Sequence, residues 1–213
     1  MPKYKEVINM NQVNIKSVRP RMATRTMTKI SVLSVIAFIL MYVDFPITFL
    51  APGFIKMDIS DVPALIGGFA MGPLAGMIIE GIKVILEMIF KGTTTGGVGE
   101  LSNFLVGCAF VIPSSLIYHH HKSYRSALIG LVVSILVMTA FSTVSNYFFI
   151  FPLYSKFMPM DAIVAAGSAV SHKVTDLWSL MVYCMIPFNL FKGVVASLVT
   201  LLLYKRVSPI LHK

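Results

Sequence analysis

Apolar residues in this chain run in long blocks, not in the strict alternation of half-buried strands. Those blocks predict six helices, at about residues 28–44, 58–71, 73–90, 100–118, 126–151 and 176–204. A hydrocarbon core about 30 Å thick is crossed by roughly 20 mostly apolar residues, and several blocks approach that length. Residues 58–90 taken as one helix would extend about 50 Å, too far for a bilayer, so the chain must break. Gly72-Pro73 is where it breaks. Gly68, Gly72 and Gly76 around that turn predict close helix contacts. Between the first two blocks, residues 45–55 are apolar but interrupted by Pro46, Pro52 and Gly53, which excludes a regular helix. So greasy an irregular segment either folds over a pocket as a lid or lies among lipid headgroups.

Composition makes lipid the solvent. The 213 residues are 56% hydrophobic and 13% charged, with a mean hydropathy of +0.81, outside the range of soluble domains. The formal charge of +9 follows topology rather than a nucleic-acid surface. Lys3, Lys5, Lys16, Arg19, Arg21, Arg25 and Lys29 precede the first block, Lys122 and Arg125 lie between the fourth and fifth, and Lys205, Arg206 and Lys213 follow the last. Lys56, Lys91, Lys156 and Lys173 are what the opposite side receives. The positive-inside rule then predicts an all-α integral membrane bundle of six transmembrane helices with both termini cytoplasmic. The expected organisation is a basic tail at 1–27, a membrane domain at 28–206 and a short tail at 207–213. The basic start is too long for the leading region of a secretory signal, and no small-residue cleavage site follows the first block, so that block is expected to be retained. Cys108 and Cys184 sit in apolar runs and are expected to pack as small hydrophobes.

Candidate chemistry gathers on one side. The loop 91–100, Lys-Gly-Thr-Thr-Thr-Gly-Gly-Val-Gly-Glu, offers hydroxyls and pliable backbone to a polar ligand, or is simply a tight turn. It lacks the G-x-x-x-x-G-K-[ST] spacing of a phosphate-cradling loop. Within the spans, Asn146 lies near the outer end of the fifth, and Asn189 and Lys192 stand three apart on one face of the sixth. A lysine at that depth needs a partner or a wet cavity. Asn both donates and accepts, and Lys192 offers donors to a carbonyl or carboxylate, which together suit an amide-like ligand edge; a structural ion pair or interhelical hydrogen bonds are the competing reading. Pro187 just before them can loosen the helix. Glu80, Lys83 and Glu87 share a face of the third block, as mutual neutralisation or as an ion relay. Asp58 and Asp61 fit the positive N-terminal end of the second. Consecutive His119, His120 and His121 do not converge on one metal ion, and Ser168 with His172 lacks the acid and oxyanion framework of a hydrolase. No catalysis and no metal are expected.

Residues 50–76 (Leu-Ala-Pro-Gly-Phe-Ile-Lys-Met-Asp-Ile-Ser-Asp-Val-Pro-Ala-Leu-Ile-Gly-Gly-Phe-Ala-Met-Gly-Pro-Leu-Ala-Gly), together with 92–103 and the Pro-Phe-Asn-Leu-Phe-Lys-Gly of 187–193, resemble the riboflavin-specific S component of energy-coupling-factor transporters. The likeness spans about 28–204. It implies a multi-pass subunit of a prokaryotic cell membrane that captures riboflavin from outside and joins a transmembrane coupling protein and two cytosolic ATPases; riboflavin is then bound substrate, and no catalytic cofactor is implied. By that resemblance Asn146, Asn189 and Lys192 bond the polar edge of the isoalloxazine, while Phe49, Leu50 and Ala51 cover it. Glu100 and the 93–95 hydroxyls are candidates for the ribityl chain, and Thr94, Thr95, Gly96 and Glu100 are counted with the substrate site. The family often carries an alanine pair four apart on the first helix for docking the coupling protein; here Ser31, Ser34 and Ala37, three apart, offer the small side chains that close approach needs. The same scaffold tuned to pantothenate, thiamine or a folate, and a self-sufficient ion-coupled transporter, are the alternatives.

Overall fold

A computed structural model of the chain describes residues 24–211, with side chains through residue 204. Residues 1–23 and 212–213, which hold Lys3, Lys5, Lys16, Arg19, Arg21, Lys213 and most of the two tails, lie outside the described residues, as do the side chains of Lys205 and Arg206. The chain is mostly helical. Its helices are α1 (Thr24–Tyr42), α2 (Asp61–Met71), α3 (Pro73–Lys91), α4 (Val98–His120), α5 (Tyr124–Tyr154), a short α6 (Met160–Ser168) and α7, which begins at Leu177. Of these, α1, α4, α5 and the 177–204 stretch of α7 are long and apolar enough to cross a membrane.

Local chemistry sets the ends. Gly72, at φ 105°, closes α2, and Pro73 opens α3 at the first helical position, where its missing N–H costs nothing. Ser123 caps α5 by accepting from the Ser126 N–H at 3.1 Å. Asp176 and Ser179 form a reciprocal capping box at the start of α7, at 2.7 and 2.9 Å. Inside α5 and α7 the backbone widens into single π-turns at Asn146–Ile150 and Met181–Met185. Each ends two residues before a proline, Pro152 or Pro187. A proline cannot donate to the carbonyl four residues back and its ring clashes there, so the preceding turn opens.

Helix α2 is the hub. It is buried from Asp61 to Phe69 and packs against α1, α3, α4 and α7, as a short helix apolar all round must. Gly68 and Gly76 allow the close approach: a Cβ on Gly68 would run into Ser115 Oγ, and one on Gly76 into Val111. Gly72 instead has open space around it and serves the turn. The 45–57 segment adds the one departure from an all-α bundle among the described residues, a ribbon pairing Phe45–Pro46 with Lys56–Met57 antiparallel.

Candidate functional site

The expected break in the 58–90 stretch brings the N-terminal end of α2 beside the C-terminal end of α3, the start of α4, the π-turn of α5 and the middle of α7. These enclose a cavity of about 330 Å³, within the range of small-molecule sites. Its apolar wall includes Phe54, Ile55, Phe151, Tyr154 and Phe188. The Phe54 ring stands 6.4 Å from Phe151 and 6.0 Å from Tyr154, which ties the ribbon loop to the end of α5.

The polar wall centres on one hydroxyl. Ser142 Oγ accepts from Asn146 Nδ2 at 2.8 Å and from Asn189 Nδ2 at 3.1 Å, and Asn189 also donates to the Met185 carbonyl at 2.8 Å. Ser102 donates to Asn146 Oδ1 at 3.4 Å from α4. The two amides are thus oriented before any ligand arrives, so little ordering remains to be done on binding. Thr95 Oγ1 donates to Glu100 at 3.2 Å while accepting from the Gly99 N–H at 3.0 Å, which fixes the loop ahead of α4.

Beneath the cavity lies a buried charge network. Lys192 Nζ stands 3.3 Å from both Asp58 and Asp61. Lys83 Nζ reaches Asp61 at 2.5 Å, Ser60 Oγ at 2.9 Å and Glu80 at 2.7 Å. The Glu80 contact is an ion contact at an angle that makes no directed hydrogen bond, and both its oxygens lack one. Asp58 also accepts from Ser60 N at 2.8 Å and Ser60 Oγ at 2.5 Å. Mutual pairing offsets the desolvation of these buried charges. At the mouth, Asp44 takes Lys56 at 3.2 Å and Lys91 closer still. Burial alone would raise the Asp44 carboxyl, but the ammonium groups of Lys91 and Lys56 hold it below the ordinary carboxylate value.

Thr94, Thr95, Glu100, Asn146, Asn189 and Lys192 all line this cavity. Gly96 does not; at φ 61° it turns against the Phe157 ring. Phe49 is 79% exposed, while Leu50 and Ala51 pack with Ile47, Met57 and Phe188 behind the cavity wall. Phe54 and Ile55 are the residues of that segment that face the space. On α1, Ser31 is exposed whereas Ser34 and Ala37 are fully buried toward the core. His119 Nε2 meets the Gly68 carbonyl at 3.2 Å, and no group of metal-binding side chains occurs among the described residues. Ser168 bonds the Ala165 carbonyl at 2.8 Å.

Sequence reasoning passed over Ser142, whose signal was its place one turn before Asn146. Asp58 and Asp61 look in the sequence like simple helix-end charges, since the lysines they pair with lie 22 to 134 residues away.

A model of the ECF transporter substrate-specific component matches residues 25–204. The chain belongs to that family. This S component is 36% identical to the riboflavin transporter RibU of Staphylococcus aureus (strain TCH60), over 86% of this chain and 90% of that one. It is 34% identical to the riboflavin transporter FmnP of Bacillus subtilis (strain 168), over 88% and 94% of the two. A solved S component of a bacterial ECF transporter superposes with a TM-score of 0.69 at 35% identity, covering 89% of this chain and 98% of that chain. These relatives are transporters rather than enzymes, and this S component is a multi-pass membrane protein.

Proposed function

We propose that this S component captures riboflavin at the outer face of a prokaryotic cell membrane and delivers it to an ATP-driven module of a transmembrane coupling protein and two cytosolic ATPases. The observation that carries the reading is the pair of preset amides, Asn146 and Asn189, beside the Lys192 ammonium in a cavity otherwise walled by aromatic and aliphatic side chains. A flat, largely apolar ring system with one hydrogen-bonding edge matches that combination. The naming of relatives from S. aureus and B. subtilis as riboflavin transporters supports the choice of vitamin. In this reading six helices cross the membrane, α2 sharing its crossing with the closely packed bundle, and both termini are cytoplasmic. Arg25, Lys29, Lys122 and Arg125 at the end opposite the cavity support that orientation.

Within the site, Asn146, Asn189 and Lys192 bond the ring edge, Thr94, Thr95 and Glu100 take the ribityl hydroxyls, and Phe54 and Ile55 form the cover. The coupling protein docks on the exposed strip of α1 that carries Ser31, with Ser34 and Ala37 setting how closely α1 approaches the core behind it. Calorimetric titration of the purified protein with riboflavin tests the reading, with pantothenate, thiamine and folate as the panel. Stoichiometric binding of riboflavin alone is the expected result; heat from another vitamin in its place sinks the assignment.

A further inference from the structure

Four carboxylates line the cavity among the described residues, those of Asp44, Asp58, Glu87 and Glu100. Three ammonium groups face them, from Lys56, Lys91 and Lys192. At the mouth the charges balance, since Lys56 and Lys91 share Asp44 and Lys91 also meets Glu87 at 3.5 Å. Lys192 faces Asp58 and Asp61, which balance its charge, and the network behind it sets Asp58, Asp61 and Glu80 against Lys83 and Lys192. That leaves Glu100. It is 8% exposed, no ammonium group pairs with it among the described residues, and its hydrogen-bond partner is the Thr95 hydroxyl. The first-turn position in α4 lets the helix N-terminus offset part of its charge, which explains how it is tolerated.

We propose that Glu100 makes this site selective for the neutral vitamin over its phosphate ester: an uncompensated buried carboxylate accepts hydrogen bonds from ribityl hydroxyls and repels a ligand that brings its own negative charge. The inference rests on the riboflavin reading and narrows its substrate class. A phosphate monoester carries about −1.5 to −2 charges at neutral pH, and every cation within the cavity already faces a carboxylate. Hydroxyls, by contrast, present the donors that an ionised carboxylate requires.

The test titrates the full-length purified protein with riboflavin, with riboflavin phosphate esterified at the terminal ribityl hydroxyl, and with the neutral acetate ester at the same position, following flavin fluorescence. Riboflavin and the acetate should bind within about threefold of each other, with the phosphate about 10- to 100-fold weaker, the scale of one like-charge pair several ångströms apart at an effective dielectric near 20. Glu100→Gln should shrink the phosphate penalty about tenfold and leave the acetate-to-riboflavin ratio alone. Ratios within one preparation do not depend on the folded fraction. Equal or tighter binding of the phosphate overturns the proposal, as does rejection of the acetate, which would make the discrimination steric. An unchanged ratio in a folded Glu100→Gln protein removes Glu100 from the role, and should that variant fail to fold, the three ligands on the wild-type chain still decide the charge claim. If neither riboflavin nor its esters bind, the functional reading falls, and this inference with it; riboflavin binding alongside an equally bound phosphate defeats the inference alone.

Discussion

At the end of the bundle where α2 turns into α3, Gly68 and Gly76 let three helices close onto one another, and the Phe69 ring packs 4.9 Å from Tyr118 and, edge to face, 5.8 Å from Tyr204, whose hydroxyls bond each other. At the other end π-turns widen α5 and α7, and the cavity among the helices is lined by amides and charges. The first end follows the rule of membrane interiors, small residues at crossings and tight contact. The second departs from it, and the buried ion network is what makes the departure tolerable. Polar groups too many for hydrocarbon are kept in the protein by pairing with one another, so the opening costs less than its composition implies.

The most severe way to break this contrast is to remove the cation between the two regimes. Lys83→Met leaves Asp61 and Glu80 with one counter-charge fewer and should cost about 3–5 kcal/mol of stability, read as a lowered unfolding temperature in detergent, with riboflavin binding lost as well. Next in size, Gly68→Val drives a side chain into Ser115 and should destabilise by about 1–3 kcal/mol while the folded fraction binds riboflavin with unchanged affinity. A fall in affinity there would mean that the two ends are one cooperative unit. Asn189→Ala should do the reverse, weakening riboflavin by about 1–3 kcal/mol with little effect on the unfolding temperature.

The smallest effect is one of pH. Because Asp44 is held below the ordinary carboxylate value, its contribution is complete above that value and is lost as pH falls through the lowered one. Proteolysis within residues 45–57 should therefore quicken below about pH 4, where an ordinary carboxylate is already half protonated, and Asp44→Asn should cleave fast at every pH. The same cleavage rate for Asp44→Asn and wild type at neutral pH would show that the salt bridges of Lys56 and Lys91 do not hold the ribbon.

Much of the scaffold could be read from the chain before any coordinates. The break at Gly72-Pro73 and the long apolar helices follow from local rules of length, proline and glycine. Asn146, Asn189 and Lys192 stood out because polar groups inside apolar helices are conspicuous. What could not be read was whatever depends on distant segments meeting. The roof residues of 45–55 carry no periodicity, so nothing in the sequence separates exposed Phe49 from Phe54, which faces the cavity five positions later. Ser34 and Ala37 are small enough for a docking face, but only packing reveals that they turn inward. The aspartates of α2 find lysines on α3 and α7, an arrangement that no window along the chain contains.

The paired prolines carry a consequence for how the helices are phased. A widened turn holds one residue more than a regular one, so every side chain beyond it is rotated about 100° from where an unbroken spiral would carry it. Past Ile150, that offset is what swings Phe151 and Tyr154 onto the cavity side rather than toward acyl chains. Deleting a single residue between Tyr147 and Phe149 would leave composition and hydropathy nearly untouched and yet turn the aromatic wall away, so in this bundle the count of residues per turn is itself part of the recognition chemistry.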